Sequence, residues 1–184
     1  MNRKLLNEEL NRKTVYEYKQ SKKNPIVIIL DNVRSALNVG SVFRSCDAFL
    51  VDKIFLCGLT AVPNENKEIY KTALGATESV DWYYVDDTLE AITELKKKDF
   101  LIIGIEQVEH KILLQNFIPE KNKRYAFVFG HEIKGINQKV IDACDFCVEI
   151  PQWGYKHSLN IAVSAGIILW HTVLHLQNGI ETKS

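Results

Sequence analysis

Three stretches of this chain place groups capable of chemistry directly after apolar runs: 31-DNVRSALNVGSVFR-44, 130-GHEIKG-135 and 151-PQWGYKHSLN-160. A fourth, 104-GIEQ-107, follows the same pattern with a single carboxylate. In open α/β sheets ligands bind beyond the carboxyl ends of the strands, so these segments are where binding and catalysis belong. Glycines there let backbone amides and carbonyls approach a ligand, because glycine has no side chain in the way and accepts positive φ. The common nucleotide fingerprints are nevertheless missing. No G-x-G-x-x-G follows the first run, and Gly130 to Gly135 has P-loop glycine spacing but is followed by Ile136 instead of lysine.

Other constellations are weaker. The 144-CDFC-147 spacing suits a redox pair or half a zinc site, but it lacks the helix start of the first and the second cysteine pair of the second. Cys144 and Cys147 therefore read as packed thiols, and no metal is expected. His171 and His175 stand four apart without an intervening glutamate or a third ligand, which favours a helix face or a subunit contact. Ser158 and His157 are adjacent and no G-x-S-x-G elbow exists, so a serine hydrolase is not expected.

Positioning these segments needs a sheet. Apolar runs at 26–30, 53–58, 80–85, 99–105, 125–130 and 145–150 alternate with helical patterns at 2–20, 38–50, 88–98, 136–144 and 158–177. Several runs are apolar at consecutive positions, as strands covered on both faces should be. The expected fold is α/β, a mostly parallel sheet flanked by helices. Ser158 occupies the expected N-cap of the last helix, ahead of the small residues Ala162, Ser164, Ala165 and Gly166. A chain of 184 residues, 46% hydrophobic and 25% charged, fits one domain with a real core. No run reaches the roughly 20 apolar residues of a membrane span, and the cytoplasm is the expected compartment. Lysine plus arginine equals aspartate plus glutamate at 23 each, so net charge does not indicate a partner. Residues 1–24 are locally basic and read as an N-terminal helical extension, followed by one domain over 25–178 and a tail over 179–184.

Taken together the segments resemble the signature set of the SpoU, or TrmH, family of RNA ribose 2′-O-methyltransferases in the SPOUT superfamily. Asn32, Asn38, Gly40 and Arg44 match its first motif. Gly130, Glu132 and Gly135 match G-N-E-x-x-G, with His131 in place of asparagine. Ile150, Pro151, Gly154, Ser158, Leu159, Asn160 and Ala162 match the third motif, and 71-KTALGATESV-80 is similar to a segment on the family's substrate side.

The resemblance implies a C-terminal deep trefoil knot, a homodimer, and S-adenosylmethionine as cofactor. It implies that Ile105, Glu106, Gly130, Ile150 and Leu159 hold the cofactor, and that Arg44, Asn38, Ser158, Asn160 and Glu132 form the catalytic set. Arg34, Arg44 and Lys71 are the expected RNA contacts. Only about 24 residues precede the first run, which together with the I-P-Q-x-G-x-K-x-S-L-N form of the third motif favours tRNA, with guanosine in the D-loop as target. An rRNA site or the tRNA wobble ribose is the alternative. A catalytically silent RNA-binding SPOUT protein is the rival class, suggested by His131 and Gln152 and opposed by the retained Asn38, Arg44, Glu132, Ser158 and Asn160.

Overall fold

Consecutive burial along the apolar runs builds the sheet. In the computed structural model, which describes residues 2–156 and 158–177, the strands are Asn24–Asp31 (β1), Val51–Cys57 (β2), Asp81–Val85 (β3), Phe100–Ile105 (β4), Lys111–Leu113 (β5), Arg124–Phe129 (β6) and Phe146–Glu149 (β7). Their order is β3-β2-β1-β6-β4-β7-β5, and every pairing is parallel. Side chains alternate between faces with period two. Ile26, Ile28 and Leu30 enter one core with Phe127 of β6, while Val27 and Ile29 enter the other with Ala126 and Val128. All are fully buried, and each branched side chain contributes about 1.5–3 kcal/mol of transfer free energy.

Helices cover both faces. Ala36–Ala48 (α2) and Ile161–Gln177 (α7) supply Val39, Phe43, Ala165, Ile168 and Leu169 to the first core. Thr88–Lys96 (named α5 below) and Gln138–Ala143 (α6) supply Ile92, Leu95 and Val140 to the second. Between β2 and β3 lie two short helices, Glu68–Ala73 (α3) and Ala76–Ser79 (α4). Gly40 marks the crossing of α2 with α3: a Cβ there would lie 2.2 Å from the Ile69 carbonyl oxygen and from Thr72 Oγ1. The close approach it permits is therefore between helices.

Three details differ from expectation. Residues 2–20 are not one helix but a 3₁₀ turn over Asn7–Leu10 and a short helix, Val15–Gln20 (α1). Asn11 in the left-handed conformation (φ 44°) ends the first. Thr14 and Glu17 then start the second as a reciprocal capping box, each bonding the other's backbone N–H. α1 also docks on the domain, with buried Tyr18 donating to the Cys46 carbonyl at 3.4 Å. The last helix starts at Ile161 rather than 158, and its first-turn acceptor is Asn160, whose Oδ1 takes the Ala162 N–H at 2.9 Å. Ser158 is thus not the cap, because asparagine two residues later supplies the same acceptor. β5, α3 and α4 were not anticipated. His157 and the expected tail 179–184 lie outside the described residues.

Candidate active site

Parallel strands bring the carboxyl ends of β1, β4, β6 and β7 to one edge of the sheet, and there the polar segments meet. Beyond β6 the chain closes on itself. His131 N–H donates to the Gly135 carbonyl at 3.1 Å, and Gly135 N–H donates to the His131 carbonyl at 2.8 Å. Neither flanking glycine tolerates a side chain. A Cβ on Gly130 would lie 2.3 Å from the Gly135 carbonyl carbon, and one on Gly135, at φ +67°, would lie 2.2 Å from Glu106 Oε2. The Glu106 carboxylate at the end of β4 braces this loop by accepting from the Ile136 N–H at 2.9 Å, while its other oxygen accepts from the Gln107 N–H. His131 Nδ1 accepts from the Ile133 and Lys134 N–H groups at 3.0 and 3.4 Å. An asparagine oxygen performs that task in an Asx turn, so the histidine preserves the acceptor of the motif residue it replaces.

One chain of hydrogen bonds links the three segments. Glu132 accepts from the Ser35 N–H at 2.9 Å, the Asn38 amide at 3.2 Å and the Arg34 N–H at 3.3 Å. Asn38 Oδ1 in turn accepts from the Asn160 amide at 3.0 Å. Asn160 then caps α7 with its own Oδ1, so its amide is committed at both ends. Burial alone would push the Glu132 carboxyl up. The backbone N–H groups of Glu132 itself and Ser35, the Asn38 amide and the Arg34 N–H outweigh it and hold the carboxyl below the ordinary range.

The turn after β1 has its own anchor. Asn32 adopts φ +59°, accepts from the Leu59 N–H at 3.0 Å and donates to Asp31 at 2.8 Å. Asp31, only 2% exposed, also accepts from Thr88 Oγ1 at 2.6 Å and from the Asn137 N–H at 3.4 Å. This buried carboxylate thereby ties β1 to the starts of α5 and α6. Sequence reasoning assigned Asp31 no role, since its partners are distant in the chain.

These segments enclose a cavity of about 690 Å³. Asn38, Glu132, Ser158 and Asn160 line it, as do Ile105, Glu106, Gly130, Ile150 and Leu159. Its apolar wall includes Ile136, just before α6, Ile141 within α6 and Val148 of β7, which sequence reasoning missed. Arg44, Arg34 and Lys71 do not line it. Arg44 is exposed on α2 and Arg34 on the preceding turn, and Lys71 pairs with Glu68 at 2.7 Å. Cys144 donates to the Val140 carbonyl, and burial pushes its thiol up to about 12. His171 stacks on Phe117 and bonds its carbonyl at 2.6 Å.

A parallel α/β sheet with a cavity built from three loops at its carboxyl edge, and without a dinucleotide fingerprint, defines a ligand-binding α/β protein outside the Rossmann and P-loop classes. The comparisons carry this to a family. A model described as the SpoU rRNA Methylase family matches residues 25–170, and the chain belongs to that family. It is 30% identical over 148 residues to the 23S rRNA (guanosine-2′-O-)-methyltransferase RlmB of Neisseria meningitidis, which covers 80% of this chain and 58% of that protein. A Staphylococcus aureus protein named "Putative TrmH family tRNA/rRNA methyltransferase" is 32% identical over 144 residues, 78% of this chain and 56% of its own. The chain thus spans little more than half the length of these curated relatives. The crystal structure of the A. aeolicus TrmH/SpoU tRNA modifying enzyme shares the fold with a TM-score of 0.78 at 21% identity, covering 90% of this chain and 83% of that one. That of AviRb from Streptomyces viridochromogenes in complex with the cofactor AdoMet shares it at 0.73 and 22%, covering 85% and 62%.

Proposed function

We propose that the chain is an S-adenosylmethionine-dependent RNA ribose 2′-O-methyltransferase. The observation that carries this reading is the Glu132–Asn38–Asn160 chain, which joins all three motif segments beside one cavity. The donor set fits the cofactor. Ile105, Ile136, Val148 and Ile150 offer apolar contact to an adenine, and the glycine-closed loop 130–135 leaves backbone at the cavity wall. S-adenosylmethionine would supply a methyl group already activated on a sulfonium, so what remains for the protein is to hold the ribose hydroxyl in line while that hydroxyl gives its proton to water.

Ser158 and Asn38 offer hydroxyl and amide groups to that ribose. Glu132 and Glu106 spend their oxygens on loop N–H groups and serve as braces. Arg44 carries no partner among the described residues and is free to grip a phosphate and offset developing charge on the 2′ oxygen. A guanidinium stays protonated in proteins, so Arg44 is a positioning cation and not the base. Its place outside this chain's cavity fits a site shared between two subunits. The homodimer has a surface available in α7, where Val163, Trp170 and Leu174 are exposed along one helical face. The C-terminal trefoil knot belongs to the same reading, supported by β7 entering the sheet between β4 and β5.

The proposed substrate is cytoplasmic tRNA, with D-loop guanosine favoured by the form of the third motif and Arg34, Arg44 and Lys71 as RNA contacts. Residues 1–24 form the basic extension and 25–178 the methyltransferase domain. His131 keeping the acceptor role of the usual asparagine speaks against a silent protein. Calorimetry with S-adenosylmethionine and transfer of its labelled methyl to total RNA test the reading. Binding with transfer by the wild type, and binding without transfer by a dimeric Arg44→Ala variant, are expected. Full transfer by that variant removes Arg44 from the mechanism, and absence of cofactor binding by the wild type removes the enzyme.

A further inference from the structure

The loop between β7 and α7 leaves two large rings in solvent. Trp153 is 91% and Tyr155 90% exposed, and they flank Gly154, around which space is open. Such rings carry much of the apolar burial in cores and interfaces, and here they bury almost nothing within the chain. Gln152 and Ser158, on either side of them in sequence, line the cavity, so the rings stand at its rim. A polymer substrate too large to enter a cavity of about 690 Å³ meets the protein at that rim.

The charges beside the rings decide which partner fits. The Lys156 ammonium lies 5.7 Å from the centre of the Tyr155 ring. Lys134, on the loop that closes over Glu106, lines the same cavity. Neither lysine has an ion-pair partner among the described residues. Cores of protein–protein interfaces are depleted of lysine, whereas aromatic rings interleaved with cations are the composition that binds unpaired nucleic acid. The lysine-free face of α7, by contrast, suits a second copy of the chain.

We infer that Trp153 and Tyr155 form a stacking platform for an unpaired nucleobase next to the target nucleotide, with Lys134 and Lys156 on the flanking phosphates. The inference rests on the RNA methyltransferase reading and adds to it how the protein grips the unpaired segment that carries the target, because bases inside a continuous duplex are not available to stack on protein rings.

The test uses the full chain and a short unstructured fluorescein-labelled RNA, alone or annealed to its complement, followed by anisotropy. The wild type is expected to bind the single strand more tightly than the duplex. Trp153→Ala and Tyr155→Ala should each weaken single-strand binding by about five- to hundredfold, while Trp153→Phe retains most of it. S-adenosylmethionine affinity and sedimentation should be unchanged in all three. Unchanged single-strand affinity in the double alanine variant, or equal binding of duplex by the wild type, overturns the platform. Dissociation of a dimer by the alanine variants overturns it in favour of a subunit contact, and loss of cofactor affinity in favour of a cavity wall. A wild type that transfers no methyl to total RNA fails the methyltransferase reading itself. An active wild type matched in rate and RNA affinity by the double variant fails the platform alone.

Discussion

Replacing Glu132 with glutamine keeps the shape of the side chain and removes its charge, which isolates what the carboxylate does. In the wild type it accepts three bonds, from the Ser35 N–H, the Asn38 amide and the Arg34 N–H. A glutamine offers only one oxygen, so its NH₂ must face at least one of these donors. Hydrogen bonds to a charged group are worth about 1.5–3 kcal/mol net, but Glu132 is solvent-exposed and water can replace the lost partners. The expected cost to stability is therefore about 1 kcal/mol, or about 2–4 °C in melting temperature for a chain of this size. The effect on transfer is expected to be larger. Release of the loop at 34–38 moves Asn38 from the cavity wall, and a misplacement of about 1 Å can cost about a hundredfold in rate. The pH dependence has a definite sign. A carboxyl held below its ordinary value of 4.5 contributes stability that is full above that value and is lost as pH falls through the lower folded-state value. The wild type should thus lose its advantage over Glu132→Gln in acid urea titrations. A Glu132→Gln protein with the wild-type melting temperature, acid profile and methyl-transfer rate would show that the carboxylate does not brace the 34–38 segment.

The same geometry makes further predictions. Gly130→Ala pushes a methyl to 2.3 Å from Gly135 and should abolish S-adenosylmethionine binding by calorimetry, with a stability loss of about 1–3 kcal/mol in urea. Asn160→Asp keeps the acceptor for the Ala162 N–H but cannot donate to Asn38. It should melt like the wild type and transfer methyl at least tenfold more slowly, whereas Asn160→Ala should also lose about 1 kcal/mol of helix capping. Asp31→Ala strands the buried Thr88 hydroxyl and two further donors, and equilibrium unfolding should show a loss of about 1–3 kcal/mol. His131→Asn retains a side-chain acceptor for the 133–134 turn and should keep cofactor affinity, while His131→Ala should weaken it.

What could be read in the residues alone follows from how local the physics is. The buried strands were legible because β1 and β6 are covered on both faces, so their apolar residues run without interruption through Ile26–Leu30 and Tyr125–Phe129. β5 was not, since Lys111–Leu113 is a three-residue edge strand whose only neighbour among the described residues is β7. Asn38, Glu132, Ser158, Asn160 and the five expected cofactor contacts were legible through the resemblance, whereas Ile136, Ile141 and Val148 of the apolar wall were not. Glu106 was expected among the cofactor contacts through its backbone; the bracing role of its carboxylate was not anticipated, because its partner, the Ile136 N–H thirty positions on, is brought near by the parallel β4–β6 pairing. Ser158 looked like the helix cap because a serine ahead of an apolar run is a strong local signal, and Asn160 took the place by offering the same acceptor nearer the helix. Arg44 stands outside the cavity of its own chain, a place that the resemblance to a dimeric family anticipates and that spacing along one sequence does not.

The reaction proposed for this cavity is delivery of a methyl group to a ribose oxygen of RNA. Nucleoside mass spectrometry of total RNA incubated with the purified chain and isotopically labelled S-adenosylmethionine tests it most directly. Label is expected on the 2′ oxygen of ribose, concentrated in the tRNA fraction and absent with Arg44→Ala. Label confined to bases, or none in the presence of measurable cofactor binding, would contradict it.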